Sequence, residues 1–96
     1  EYQKRHDYVV SQLNEIDGVF CKPTDGTFYV FPSFKQYISD SKTITNDSDL
    51  ALHLLNNAKV AVVPGSAFGQ EGHIRLSIAI DMSSLKSAMT RIANSL

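Results

Sequence analysis

The segment from residue 73 to residue 80 constrains the fold more than any other part of the chain. Its aliphatic side chains occupy every second position, and they are Ile74, Leu76, Ile78 and Ile80. Successive side chains of a β-strand point to opposite faces of a sheet. The alternation therefore predicts a strand that buries its aliphatic face in a core and leaves Arg75 on the polar face.

Three other segments have the spacing of amphipathic helices, because apolar residues recur in them every three or four positions. These segments are residues 9–16, 51–58 and 85–96. Asp81 or Ser83 is the expected N-cap of the last one, and residues 46–48 offer N-caps to the second. Residues 32–49 are mostly polar and predict an irregular connection with one helical turn near residues 34–38.

Three further segments have the composition of short strands, namely residues 19–21, 27–31 and 60–63. Together with the helices and the strand at residues 73–80, they predict the order α-β-β-α-β-β-α. We expect an α+β fold with two layers. A small mixed or antiparallel sheet of three to four strands would carry the helices on one face.

The composition is that of one globular domain without a charged partner. Its 96 residues are 43% hydrophobic and 20% charged, which allows one core and argues against disorder. The net charge of −1 does not indicate binding to nucleic acid or to an anionic membrane. No apolar run approaches the ~20 residues of a membrane span. The single cysteine, Cys21, cannot form an internal disulfide, so we expect a reducing, cytoplasmic location.

Two of the predicted strands are apolar on both faces, at residues 28–31 and 60–63. A sheet with one face in water should instead alternate apolar and polar residues. The chain also starts inside a predicted helix, with neither a methionine nor a cap. Both features favour a piece of a longer polypeptide, and we expect the domain to pack against a part that is absent from this chain.

Common catalytic and ligand-binding motifs are disfavoured by their spacing. The glycine-containing loop at residues 65–72 lacks the Gly-Lys-Ser/Thr ending of a phosphate loop and precedes a strand. Ser66 and Ser77 stand outside the Gly-x-Ser-x-Gly motif of hydrolytic serines. The three histidines lie on different elements and, with a lone cysteine, offer no metal-ligand spacing.

Arg75 is the candidate binding residue that the pattern itself supplies. A guanidinium on a rigid strand can hold a carboxylate through two parallel hydrogen bonds. The alternatives are a solvated charge or a structural ion pair. The pattern alone favours these alternatives, because arginines are common on protein surfaces.

Two segments resemble motifs of the fold-type I aminotransferases. Residues 23–31 read Pro-Thr-Asp-Gly-Thr-Phe-Tyr-Val-Phe and resemble the family's P-x-G-[AT]-F-Y-x-[FL] segment. Residues 60–69 and 72–79 resemble its V-x-[VF]-x-P-G-x-x-F-G…G-x-[IFV]-R-[LI]-S-[FI]-A segment. Residues 5–7, Arg-His-Asp, resemble its R-R-D helix. The resemblance covers nearly the whole chain and is to the C-terminal small domain of an aspartate-aminotransferase-like enzyme that depends on pyridoxal 5′-phosphate.

The resemblance implies roles for five residues. Arg75 matches the family's arginine that binds the α-carboxylate of the substrate. Gly26, Phe28, Tyr29 and Phe68 match segments near the boundary with the large domain, and we expect them to line the site or the domain interface. The resemblance implies no catalytic, cofactor-binding or metal-binding residue in this chain.

The resemblance also implies what the rest of the parent polypeptide does. A large domain, absent here, would carry the Schiff-base lysine and hold pyridoxal phosphate. Residues 39–42, Ser-Asp-Ser-Lys, mimic the family's S-x-S-K segment, but they follow the Phe-Tyr segment, so we reject Lys42 as that lysine. The parent would be a homodimer that moves an amino group between an aspartate-like amino acid and a 2-oxo acid. The chain alone would be inactive.

Two other functions stay open at this point. A non-catalytic ligand-sensing or interaction domain is compatible with the lack of a complete catalytic set in these residues. A lyase or synthase that uses pyridoxal phosphate could share the same small domain, because such enzymes also bind an α-carboxylate. The residues do not encode which amino-acid side chain is preferred, nor the oligomeric state of this chain.

Overall fold

The computed structural model describes residues 2–24 and 28–96. Its elements, in chain order, are α1 (Tyr2–Asn14), β1 (Tyr29–Val30), α2 (Lys35–Asp40), α3 (Asp47–Asn57), β2 (Val63–Pro64), a 3₁₀ turn (Gly65–Phe68), β3 (Ile74–Ser77) and α4 (Met82–Ser95). The strands form a three-stranded antiparallel sheet in the order β1-β3-β2. The predicted α+β class with a small antiparallel sheet is confirmed for the described residues.

The predicted element order is wrong at residues 19–21, which form no strand. Phe20 makes only an isolated bridge to Ser33. The reason lies in the Asn14 side chain, whose Nδ2 donates to the Cys21 carbonyl and whose Oδ1 accepts from the Cys21 N–H, both at 2.8 Å. Because a side-chain amide takes both backbone groups of Cys21, they are not free to join a strand ladder.

The predicted connection at residues 32–49 is largely as expected, whereas the predicted strand at 60–63 differs from the structure. The helix α2 confirms the helical turn predicted near residues 34–38, continues two residues beyond it and has no buried residue. The strand β2 consists of Val63–Pro64 and is shorter than predicted. Val60 is buried without belonging to a strand, so its apolar character reflects packing against the core rather than sheet pairing.

One core joins α1, α3 and α4 to the inner face of the sheet. The helices contribute Leu13, Leu54 and Ile92, and β1 contributes Val30. The predicted alternation is correct for Ile74, Leu76 and Ile78, which are buried. It is wrong for Ile80, which is 40% exposed, because the strand ends at Ser77 and the chain turns towards α4.

The last two helices begin at side-chain caps that fix where they start. The Asn46 Oδ1 accepts from the Asp49 N–H at 2.7 Å at the start of α3. Asp81, rather than Ser83, caps α4 and accepts from the Ser84 N–H at 3.1 Å. The hydrogen bond from the Ser84 hydroxyl, together with that N–H, lowers the pKa of Asp81. Within the described residues, no helix is long and apolar enough to cross a membrane.

Candidate functional site

Arg75 lies on the middle strand of the sheet, on the face that the core does not use. In the strand register, Tyr29 faces Ser77 and Val63 faces Arg75. Directly opposed residues of an antiparallel pair share a face, as do alternate residues of one strand. Tyr29, Val63, Arg75 and Ser77 therefore form one outer surface, and Ile74 and Leu76 point to the core.

Two aromatic rings contact the guanidinium group of Arg75. Its Cζ atom lies 4.4 Å from the centre of the Tyr29 ring and 5.6 Å from that of Phe68. The Phe68 ring also packs edge-on against Phe31, with their centres 5.8 Å apart. A cation over an aromatic face is attracted to the ring, and the ring does not neutralise the charge. The rings thus orient Arg75 and leave it positively charged.

Arg75 forms no ion pair with any residue that the structure describes. Its Nε atom is buried and has no hydrogen-bond partner there. A buried N–H without a partner costs about 1–3 kcal/mol, so folding alone does not explain why the group sits at this position. The structural ion pair that the sequence left open is therefore absent from residues 2–24 and 28–96.

The other predicted site residues differ in what the structure shows of them. Tyr29 and Phe68 come together at Arg75, as described above. Phe28 precedes Tyr29 and is 50% exposed, and its carbonyl accepts from the Ile78 N–H at 2.8 Å. Gly26 lies outside the described residues.

Asp47 also belongs to this region, although the sequence indicated it only as one of several possible N-caps. It is 3% exposed and sits in the first turn of α3. Its Oδ1 accepts from the Ser66 hydroxyl at 2.7 Å, and its Oδ2 accepts from the backbone N–H groups of Ser66 at 3.2 Å and Gly72 at 2.8 Å. Asp47 and Ser66 are nineteen positions apart, and no local pattern relates residues at that separation. The sequence therefore gives no signal for this contact.

The glycine loop, residues 65–72, closes on itself through backbone hydrogen bonds. The Gly65 N–H donates to the His73 carbonyl at 2.7 Å, and the Gln70 N–H donates to the Gly65 carbonyl at 2.8 Å. A Cβ atom on Gly65 would lie 2.0 Å from the Gln70 oxygen, and Gly72 has a φ of +80°. The loop thus requires glycine for a close approach and a left-handed turn, and its N–H groups at 65, 70 and 72 already have acceptors.

Two of the histidines and the cysteine take structural positions. The His6 Nε2 accepts from the Thr24 N–H at 2.9 Å, and the His53 Nε2 lies 2.7 Å from the Ser95 carbonyl. Burial raises the pKa of the Cys21 thiol to about 11. No group of three or more metal-binding side chains occurs in the part of the chain that the structure describes.

A separate cleft of about 580 Å³ lies between α2, the start of α3 and the glycine loop. Lys35, Asp47 and Glu71 are among the residues that line it, and Arg75 is not. The cleft therefore lies beside the hydrogen bonds of Asp47 and is separate from the surface around Arg75.

Comparison with known proteins gives consistent matches over the chain. The family model described as aminotransferase class I and II matches residues 1–92. The aspartate/prephenate aminotransferase of Nitrosomonas europaea is 42% identical over an alignment of 98 positions, which covers 97% of this chain and 25% of the relative. The aspartate aminotransferase of Rhizobium meliloti strain 1021 is 43% identical over 96 residues, covering 96% and 23%.

Solved structures match the fold as closely. The crystal structure of the aspartate aminotransferase from Rhizobium meliloti superposes with a TM-score of 0.91 at 42% identity, covering 98% of this chain and 24% of that one. The alanine aminotransferase from Pyrococcus furiosus gives 0.85 at 34% identity, covering 96% and 23%. The chain thus spans about a quarter of the length of the relatives that it matches.

Proposed function

Because this chain belongs to the aminotransferase class I and II family, we propose that it is the C-terminal small domain of a pyridoxal-phosphate-dependent aminotransferase. In this proposal Arg75 binds the α-carboxylate of the amino-acid substrate. Family membership confirms the family predicted from the motifs. The relatives named above as aspartate and aspartate/prephenate aminotransferases support an aspartate-like substrate.

The environment of Arg75 is the observation that supports this role. The guanidinium is charged, contacts two rings, and has no carboxylate partner among the described residues. A substrate carboxylate would supply the missing anion and could take two parallel N–H···O bonds. Apolar rings around such a pair exclude water and make the attraction stronger than it is at an open surface.

The outer surface of the sheet supports the assignment to a small domain. Its aromatic residues Tyr29, Phe31 and Phe68, which contact Arg75 or one another, are each between 37% and 40% exposed. Contiguous apolar patches of this kind mark surfaces that another part of the protein covers. We assign that part to the large domain of the same polypeptide, since the relatives extend well beyond the quarter that this chain matches.

The surroundings of Lys42 do not fit those of a lysine that holds pyridoxal phosphate. Lys42 is exposed, and the neighbouring Ser41 hydroxyl accepts from the N–H groups of Thr43 and Ile44 at 3.2 and 3.0 Å, so it holds a turn. In the proposed enzyme the cofactor belongs to the large domain and provides the amino-transfer chemistry. The part of this chain is to hold the carboxylate and, by packing on the large domain, to keep water out.

The same proposal includes a homodimeric parent enzyme in the cytoplasm. The family resemblance supports the dimer. The lone cysteine of this chain supports a reducing location, because Cys21 is buried and has no second cysteine within these 96 residues.

The test of the proposed function is the exchange of Arg75 in the full-length parent. Arg75→Ala should lower kcat/KM for amino-acid substrates more than a hundredfold, because a bidentate charged contact is lost. This corresponds to a loss of roughly 3 kcal/mol in transition-state stabilisation. It should also weaken the binding of an unreactive dicarboxylate. Arg91→Ala is the matched control, since the Arg91 Nε donates to the Ala58 carbonyl at 2.7 Å, away from the site. Unchanged kinetics in Arg75→Ala would overturn the proposal.

The same full-length protein separates the proposal from its two alternatives. Addition of pyridoxal phosphate should produce an absorbance band near the edge of the visible range, and a non-catalytic interaction domain would give none. Product analysis with an amino acid and a 2-oxo acid separates a transferase from a lyase. Transfer of the amino group to the oxo acid supports the proposal, and release of ammonia without transfer contradicts it.

A further inference from the structure

We propose that Asp47 is a positioning residue for Arg75, an inference that rests on the proposed role of Arg75 in carboxylate binding. Asp47 does not touch the guanidinium group. It acts through the glycine loop, which carries Phe68 on one side and leads into β3 on the other. One buried carboxylate on α3 thereby fixes two of the parts that determine where the Arg75 guanidinium points.

The contacts of Asp47 reach both ends of the glycine loop. Its two oxygens accept from the hydroxyl and the N–H of Ser66 and from the N–H of Gly72. Burial of a carboxylate destabilises the folded state unless the group is hydrogen-bonded, and these three donors supply the hydrogen bonds. Removal of Asp47 would leave two backbone N–H groups without their acceptor, so the loop would have to move to find another.

The first end of the loop determines the position of Phe68. Ser66 and Phe68 belong to the same 3₁₀ turn, Gly65–Phe68, so an anchor on Ser66 fixes the ring two residues later. That ring contacts the Arg75 guanidinium with a distance of 5.6 Å from its centre to Cζ. Displacement of the turn would therefore withdraw one of the two rings that orient Arg75.

The second end of the loop determines where β3 begins. Gly72 stands shortly before Ile74, the first residue of the strand that carries Arg75. The Gly72 carbonyl also accepts from the Phe34 N–H at 2.7 Å, so its peptide groups are held from two sides. Loss of the Asp47 contact would free one of them and loosen the start of the strand.

The experiment uses the full-length enzyme, with KM measured well below the unfolding temperature and kcat expressed per active site. Asp47→Ala should raise KM for the amino acid about tenfold, equivalent to ~1.4 kcal/mol of binding, with a smaller change in kcat. Asp47→Asn should restore most of the affinity, because its amide oxygen can still accept from both N–H groups and its NH₂ can donate to Ser66. Asp49→Ala is the matched control, since that exposed carboxylate lies in the same helical turn and contacts Thr45.

A second set of measurements, made in the Arg75→Ala variant, separates a positioning role of Asp47 from a general effect on stability. In Arg75→Ala, a further Asp47→Ala exchange should leave KM unchanged, because Asp47 acts through Arg75. If Asp47 only stabilises the fold, Asp47→Ala lowers the melting temperature and leaves KM at the wild-type value, which overturns the inference. An equal further rise of KM in the Arg75→Ala background also overturns it.

The outcomes distinguish the inference from the function on which it rests. If Arg75→Ala impairs the enzyme and Asp47→Ala keeps a normal KM, the proposed function stands and the role of Asp47 is wrong. If Arg75→Ala itself has no effect, the proposed function is wrong. Should Asp47→Ala fail to fold, Ser66→Ala removes only the bond to Oδ1. It should raise KM in the same direction, and an unchanged KM there contradicts the inference.

Discussion

The guanidinium carbon of Arg75 lies 4.4 Å from the centre of the Tyr29 ring. The two residues belong to neighbouring strands, and Tyr29 faces Ser77, the next residue on the same side of β3 as Arg75. A ring attracts the cation without accepting its strong hydrogen bonds, whereas a carboxylate would neutralise it. The contact therefore orders the side chain and keeps its charge available to an incoming anion.

Removal of either ring should weaken substrate binding by a modest amount. We expect Tyr29→Leu or Phe68→Leu in the full-length enzyme to raise KM about two- to fivefold, since a cation–π contact is worth about 0.5–1 kcal/mol at such sites. Phe20→Leu is the control, because Phe20 is 63% exposed and pairs with Ser33 instead. Steady-state kinetics would check this, and a normal KM in both variants would show that the rings do not orient Arg75.

The sequence predicted the parts of the site that depend on local periodicity. Burial of Ile74 and Leu76 places Arg75 on the opposite face, because strand alternation is a property of neighbouring residues. The same reasoning failed at residues 19–21. Their composition is that of a strand, but the side chain of Asn14, seven residues earlier, takes the backbone hydrogen bonds of Cys21.

The contact between Asp47 and Ser66 could not be predicted at all. The two residues are nineteen positions apart and belong to different elements. Asp47 looks like one of several polar residues at a helix start, and only the folded arrangement shows that it is buried. Its hydrogen bonds depend on how α3 packs against the loop, and packing of this kind leaves no periodic signal in the sequence.

Cys21 should make the stability of the chain depend on pH in the alkaline range. Burial raises the pKa of its thiol from 9.0 to about 11. Below pH 9 the thiol is protonated in both the folded and the unfolded state. Above pH 9 the unfolded state loses the thiol proton first, so the free energy of unfolding should fall as pH rises towards 11. The fall should be at most roughly 3 kcal/mol.

Denaturant unfolding at several pH values between 8 and 11.5 would measure this fall. Cys21→Ala is the matched variant, because the hydrogen bonds between Cys21 and Asn14 use only the Cys21 backbone and are kept. The two proteins share every other side chain, so the difference between their pH profiles isolates the thiol. Parallel pH profiles for the two proteins would contradict the prediction.

Lys59 should limit stability because it ends α3 in a left-handed conformation. Its φ is +57°, and it follows the C-cap residue Ala58. Glycine adopts this conformation without steric cost. Lys59→Gly should therefore raise the free energy of unfolding by about 0.5–1 kcal/mol, after the greater freedom of glycine in the unfolded chain is counted.

Chemical denaturation of the wild type and two variants would check this prediction. Lys59→Ala removes the same side chain and keeps the strained backbone, so it should leave stability close to the wild-type value. If both variants change stability equally, the effect comes from the lysine side chain, and backbone strain at this position is not the cause.

Gly65 should be the most sensitive glycine of the loop, because the space for a side chain is missing. A Cβ atom there would lie 2.0 Å from the Gln70 oxygen and 2.7 Å from the His73 oxygen. Both neighbours are backbone atoms and cannot turn away as a flexible side chain would. We expect Gly65→Ala to displace the 3₁₀ turn, move Phe68 away from Arg75, and raise KM in the full-length enzyme several-fold.

Gly69→Ala is the matched control for this prediction. Gly69 has a φ of +79°, and nothing lies within 4 Å of a Cβ atom there. The exchange should cost about 1–2 kcal/mol of stability through backbone strain alone, with KM close to normal. Kinetics and thermal unfolding of both variants would separate strain from displacement. A KM that rises equally in Gly69→Ala, or stays normal in Gly65→Ala, would show that the loop does not control the position of Phe68.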